Sequence, residues 1–521
     1  MNSNKILNFL VLLAGIAIMA SCSKDKGNYD YKAVDAVVIN LENVPSTYSV
    51  VRFEGINIAP KITYKGEAVD LVNPQFPELK FTWEIYPTGR EVVERHLLSE
   101  SPILNVNLNQ RELPWEILYT ITNTNTGIKT FAKFALNITS ILAEGWMVLY
   151  ERNGNTDVGL ITNNEIARSQ VAEKLFLDIY SASNGGPMKG TPSSIAYSYA
   201  NLAARKIYVQ SNQEMSMVNL STFAKVFDFN QGLFWVKPGT ISPLIFRSTE
   251  ARKEWVINNN RVHMIDYTTI AQGDRAFSDP LGGTYGTLAP WMAVSPAPLD
   301  GVFYDQTNKK FLKIIVRGSE VTPFTTNQTT AVFDVNNVGM ELLMGDIGWN
   351  NWDYTVMKDN AGKHWLLSAN FKAGDVVDLT TGRGVPIGRG KYDMSTCPEI
   401  ANVNSVTAGT LGEIFYYSAN NHLYQFKYIQ GTTAQLWTAP GGEVVTNISL
   451  QKYYNTNRAA AAVYDPKNYC KILYIATYNE TTKIGTVYQM GVNETSGAIL
   501  AGTEKKYTGF GKIKAMSWKM N

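Results

Sequence analysis

Apolar and polar side chains alternate in short runs along most of this chain, and turns rich in Asn, Gly, Thr and Asp separate the runs. Residues 79–86 put Phe81, Trp83 and Ile85 on one face, the two-residue period of a half-buried strand. Residues 117–121, the polar turn at 123–127 and residues 131–138 read as a hairpin. Together with runs at 36–41 and 103–108, they predict an antiparallel sandwich of immunoglobulin size over residues 33–140, with Trp83 in its core.

From Gly145 onward a second pattern recurs. A glycine or charged residue opens a short apolar or aromatic run, a polar turn follows, and a second alternating run returns. Seven copies begin at Gly145, Lys206, Lys253, Lys310, Lys363, Glu413 and Lys471, with partner runs at 215–218, 261–265, 376–379 and 422–426. Their spacing, about fifty residues, is near the ~40–50 of propeller blades. A small twisted sheet cannot hide its apolar face alone, whereas a ring of such sheets hides both faces of each. The chain is therefore expected to be all-β, with a seven-bladed β-propeller over residues 141–521. Six or eight blades fit the same spacing, and two or three stacked sandwiches are the competing arrangement. Residues 512–518 form a run with no partner after it, placed to close the ring on the first copy.

The first residues follow neither pattern. Lys5 precedes an almost unbroken apolar run over 6–20, and the small residues Ala20 and Ser21 stand directly before Cys22. The run is shorter than the ~20 residues of a stable membrane-spanning helix, so residues 1–21 read as a signal peptide. Cys22 is the expected lipidation site and residues 22–32 a polar tether. The stretch resembles the lipobox of bacterial lipoproteins, with Met19 where Leu is usual. An ordinary signal peptide followed by a chance cysteine is the plainer alternative. Acyl chains contribute ~0.8 kcal/mol per buried methylene, so the mature body is expected to be tied to a membrane through its N-terminal acyl chains. No later apolar run is long enough to span one.

Composition narrows the partners. A net charge of +2 argues against nucleic acid. The 28 Tyr and 21 Phe favour strands. Cys397 and Cys470 either pair or are both buried as thiols; two cysteines make no disulfide framework, so thiols are expected.

The segment 25–32 (DKGNYDYK) just behind Cys22, followed by strands that include Phe81-Thr82-Trp83-Glu84-Ile85-Tyr86, resembles the PKD-like lipoproteins over roughly the first 140 residues. These belong to Gram-negative bacteria that feed through SusC/SusD-type outer-membrane complexes. Tyr86-Pro87-Thr88-Gly89 replaces the usual PKD glycine-aspartate turn. The resemblance implies an Ig/PKD-like sandwich, an outer-membrane location facing the cell exterior and SusC/SusD-like transporter subunits as partners.

Candidate chemistry is sparse. HExxH and GxSxG are absent. His263, His364 and His422 fall in different copies; they would make a metal site only by converging on an axis, and bonding to nearby backbone or tyrosine groups is the expected role. Residues 382–391 are rich in Gly and Arg but fail the Walker spacing, and they read as an inter-blade loop. Asp300, Asp305, Asp375 and Asp378 are isolated carboxylates. No metal, cofactor or catalytic residue is assigned. Aromatic residues beside Gly, Pro and Asn remain: Trp235, Tyr285, Trp291, Trp349 and Trp352 are the candidate ligand-binding residues, suited to stacking on sugar rings or peptides. Packing between blades is the competing role for Trp349 and Trp352. The expected function is a non-enzymatic accessory binding or docking subunit of a glycan or oligopeptide importer. The alternative is a propeller-fold polysaccharide hydrolase or lyase, which needs a carboxylate pair in an axial pocket.

Overall fold

The computed structural model describes residues 35–520 except 53, 89–93, 109, 111–113, 141, 168–172, 201–204, 250–251, 269–275, 295–297, 326–330 and 453–467. Cys22, the signal segment 1–21, the tether 22–32 and residue 141 lie outside the described residues. The chain forms two compact units. One holds Ile56–Val106 and Trp115–Ala135 with the described residues before Ser49; the other holds Leu136–Asn521 with Ser49–Gly55 and Asn107–Pro114.

In the first unit Leu79–Pro87 pairs with Pro114–Asn123 in unbroken antiparallel register, from Leu79 opposite Asn123 to Pro87 opposite Trp115. They are central in a sheet ordered Thr47–Val51, Lys129–Thr139, Pro114–Asn123, Leu79–Pro87, His96–Ser99. Phe81, Trp83 and Ile85 are buried as the alternation predicts, while Lys80 is exposed. Trp83 stacks on Tyr119 with ring centroids 3.9 Å apart, and its Nε1 donates to the Ser101 carbonyl at 2.9 Å. At the hairpin tip Gly127 adopts φ 72°, the left-handed conformation that closes the turn, and its N–H reaches the Asn123 carbonyl at 2.8 Å.

In the second unit, seven antiparallel sheets of three or more strands follow one another among the described residues. Their first-edge strands are Lys512–Lys519, Pro192–Ser198, Pro243–Thr249, Leu288–Met292, Glu341–Ile347, Val403–Ala408 and Glu443–Leu450. Each of these edge strands touches the next, and Glu443–Leu450 touches Lys512–Lys519, so the circuit returns to its start. Lys512–Lys519 pairs with Gly145–Arg152, so the last strand of the chain completes the first sheet. The arrangement is propeller-like. Each of the seven pairings made by an edge strand carries a register shift. Such bulges bend a strand and sharpen its twist, which prevents flat edge-to-edge continuation into the neighbouring sheet.

Second strands are buried on both faces: all six residues of Lys206–Ser211 and of Lys253–Asn258 are inside. Here the two-residue period separates one neighbour from the other. Val256 joins Tyr208 and Met217 in a cluster with the second sheet, whereas Trp255 and Ile257 join Phe303 and Leu312 of the fourth. Similar clusters fill the spaces between the fourth and fifth, fifth and sixth, and sixth and seventh sheets. A further cluster gathers residues of the seventh, first and second.

The lysines that open two of the runs serve this packing. Lys206 donates to the Tyr267 hydroxyl at 2.6 Å and lies 3.5 Å from Glu254 of the next sheet. Lys253 bonds Asp266 at 2.9 Å and Asp300, at the head of the next sheet, at 3.1 Å. Asp300 is therefore half of a buried ion pair. Asp375 is another, 3.3 Å from Lys313.

Four local expectations are corrected. The second strand is Gly301–Asp305 in the fourth sheet and Asp353–Lys358 in the fifth, so the copies that begin at Lys310 and Lys363 each fall one strand late. Val377–Asp378 pairs with Arg383–Gly384 in a small separate hairpin, and the outer strand of the fifth sheet is Gly388–Asp393. Part of the segment read as an inter-blade loop is thus a strand. Cys397 and Cys470 are buried and unbridged.

Candidate functional site

Where the edge strands meet, they enclose a cavity of about 350 Å³. Strands of six of the seven sheets contribute to its wall, from Ser194 and Tyr197 of the second to Ala515 and Ser517 of the first, and Val294, just after the edge strand of the fourth, adds to it. The wall is mixed: Trp146, Tyr197, Phe246 and Val406 supply apolar surface, and Arg247, Asp346, Thr407, Asn447, Ser449 and Lys452 supply polar groups.

Two of the three charged groups neutralise each other. Lys452 Nζ lies 2.6 Å from Asp346 Oδ2 and also donates to the carbonyls of Ile347 at 2.5 Å and Ala408 at 2.7 Å. Asp346 Oδ2 in turn accepts from Thr407 Oγ1 at 2.8 Å and the Ala408 N–H at 3.1 Å. This knot joins the fifth and sixth edge strands to the chain after the seventh. Arg247 differs: it is half-buried on the third edge strand, and its Nε is shut away from solvent with no hydrogen-bond partner. Asn447 sits at the bulge of the seventh edge strand, where the register shifts between Val445 and Asn447.

None of the five aromatic candidates lines this cavity. Trp291 lies within Leu288–Met292 and is 3 % exposed, its ring meeting Phe311 and Phe371 in the core between the fourth and fifth sheets. Pro290 next to it gave the segment the look of a loop, but an edge strand at a bulge accepts proline. Its indole Nε1 comes so near Gly345 that a Cβ there would stand 2.9 Å away. Trp349 and Trp352 are half-buried against the cluster between the fifth and sixth sheets, and the Arg389 guanidinium lies 5.7 Å from the Trp352 ring centre. Tyr285 packs at the edge of the cluster between the third and fourth. Trp235 alone of the five is well exposed, at 73 %.

The histidines do not converge. His263 Nδ1 contacts the Ser278 carbonyl at 2.8 Å, and burial pushes its pKa down. His364 is buried and likewise lowered by burial; His422 contacts Glu399 at 2.9 Å. Among the described residues no group of three or more His, Cys, Asp or Glu side chains could hold a metal.

The cavity-lining groups were missed because they come from eight separate segments, and nothing local marks Arg247 or Asn447.

No curated protein matches the chain. Among solved structures it is similar to a quinoprotein alcohol dehydrogenase-like protein of Bacteroides thetaiotaomicron, at 10 % identity over 94 % of this chain and 100 % of that one, TM-score 0.37. It is also similar to the extracellular domain of a one-component system from the same species, at 9 % identity over 81 % and 66 %, TM-score 0.33. The WD40 domain of fission-yeast SCAP matches at 7 % identity over 61 % and 74 %, TM-score 0.33. Residues 22–192, a span that starts at Cys22, takes in the described residues of the first unit and runs on to Pro192 in the second, match the PKD-like family.

Proposed function

We propose that this protein is a lipid-anchored outer-membrane protein facing the cell exterior, an accessory binding and docking subunit of a SusC/SusD-like glycan or oligopeptide importer. In this reading acyl chains on Cys22 hold it to the membrane, residues 33–140 form an Ig/PKD-like spacer, and residues 141–521 form a seven-bladed β-propeller that presents the ligand or partner surface. The observation that carries the reading is the cavity walled by strands of six sheets and by Val294 just after the edge strand of the fourth, which mixes aromatic surface with polar groups as small-ligand sites do. The match to the PKD-like family from residue 22 supports the placement of the N-terminal part. A hydrolase or lyase would need a second carboxylate in this cavity. Among its described lining residues Asp346 is the one carboxylate, and Lys452 holds it.

The test is affinity purification of the tagged full chain from native membranes. Stoichiometric recovery of SusC/SusD-like subunits is expected, and their absence overturns the importer assignment. Cys22→Ser is expected to move the protein from the membrane to the soluble fraction; unchanged fractionation overturns the lipid anchor.

A further inference from the structure

We propose that the axial cavity takes a ligand bearing a carboxylate, with Arg247 as its cationic anchor. The inference rests on the reading of the ring as a binding platform and names the chemical class of what it binds.

Among its described lining residues, the cavity wall holds one positive charge more than it can neutralise. Its described lining residues include Arg247, Lys452 and Asp346 as the charged groups. Asp346 is consumed by Lys452 at 2.6 Å, and the remaining Lys452 donors are taken by two carbonyls. Arg247 is left half-buried, with Nε closed off from water and without a partner. A guanidinium partly withdrawn from water without an anion is costly, and a bound anion removes that cost. The planar fork of guanidinium N–H groups fits a carboxylate with two parallel hydrogen bonds.

The rest of the wall limits what the carboxylate is attached to. Trp146, Tyr197 and Phe246 give apolar faces, and Asn447 and Ser449 give hydrogen-bonding groups on the seventh edge strand. A volume of about 350 Å³ admits one or two sugar rings or a dipeptide and excludes a folded partner. A uronic acid and a peptide C-terminus supply the same carboxylate chemistry.

The experiment is isothermal titration of the full chain in detergent with two acidic probes, digalacturonate and Ala-Ala, each beside its neutral counterpart, galactobiose and Ala-Ala amide. At least one acidic probe is expected to bind and its neutral counterpart to bind at least tenfold more weakly; which of the two binds identifies the source. Arg247→Gln is expected to weaken the acidic probe tenfold or more. Arg247→Lys, which keeps the charge but loses the fork, should lie between. A melting curve matching the unsubstituted protein establishes that each variant is folded. If neither acidic probe binds, if neutral and acidic probes bind alike, or if both folded Arg247 variants retain full affinity, the inference is overturned. Transporter subunits that still co-purify with Arg247→Gln separate that failure from a failure of the docking role.

Discussion

Leu79–Pro87 in the sandwich and Lys253–Asn258 in the ring share a two-residue period and use it differently. In the sandwich strand Phe81, Trp83 and Ile85 are inside, while Lys80 is exposed and Thr82 and Glu84 are half-exposed. In the ring strand both sets of side chains are inside, each against a different neighbouring sheet. A polar residue on the sandwich strand can turn to water. One on the ring strand has no water to turn to and must find a partner across a sheet boundary. Glu254 does so: fully buried, it accepts from the hydroxyls of Tyr208 at 2.7 Å and Tyr267 at 3.1 Å and from that of Ser198, beside Lys206. The sandwich pair Arg95–Glu84, 3.5 Å apart, stays at the surface.

The largest test of this contrast removes the strand that returns the ring to its start. Deleting residues 512–521 takes Ile513 and Trp518 out of the core and bares the edge of Gly145–Arg152. Large buried side chains contribute ~1.5–3 kcal/mol each, so the loss is on the order of 5 kcal/mol. Calorimetry should show the ring transition lowered by about 10 °C or lost, with the sandwich transition in place. An unchanged thermogram would mean that the ring does not depend on its last strand. Next in size is Glu254→Ala, which removes the carboxylate 3.5 Å from the buried Lys206. Removing one partner of a buried pair costs ~3–5 kcal/mol, whereas replacing both with apolar residues is often close to neutral. Urea unfolding of Glu254→Ala and of Glu254→Leu with Lys206→Met should differ accordingly, and equal losses in the two would contradict the pairing.

The contrast also explains what was legible in the sequence. Alternation located the strands of both units, because an apolar/polar period is written locally at Phe81-Thr82-Trp83 and at the openings of the seven copies. It could not say whether the second face of a strand meets water or another sheet. For that reason Lys253 and Asp300 read as an opening charge and an isolated carboxylate, although they bond at 3.1 Å. Trp291 was misplaced for the same reason: its neighbours Pro290 and Gly286 suggest a loop, and only the sheet beyond it makes it core. The fourth and fifth copies slipped by one strand because the second and third strands of those sheets, 301–305 with 310–314 and 353–358 with 364–369, are both mostly buried. The cavity was beyond reach altogether, since its wall is assembled from eight separate segments between Trp146 and Trp518.

A smaller effect is expected from His263. It is 2 % exposed, and burial is the main cause that lowers its pKa, with the Ser278 carbonyl and Asp279 opposing. A neutral imidazole in the fold and a protonated one in the unfolded chain mean that unfolding takes up a proton below the ordinary value of 6.5. Stability therefore rises with pH through 6.5 and is lost below it, by up to ~1.4 kcal/mol per pH unit until the lowered folded value is reached. Unfolding free energies of the unsubstituted protein and His263→Gln between pH 5 and 8 should diverge in slope only on the acid side. Parallel curves would place a charged imidazole inside the ring.

The smallest effect belongs to the sandwich surface. Arg95 and Glu84 are 52 % and 30 % exposed in their side chains, so water screens their attraction. A double-mutant cycle of Arg95→Ala and Glu84→Ala should give a coupling of ~0.2–1 kcal/mol, typical of exposed pairs. The value matters because Glu84 and Glu254 occupy comparable places on central strands, one facing solvent and the other a second sheet. A coupling as large as that of Lys206 with Glu254 would mean that the outer face of Leu79–Pro87 is covered in the protein, and that the two units bury their strands alike.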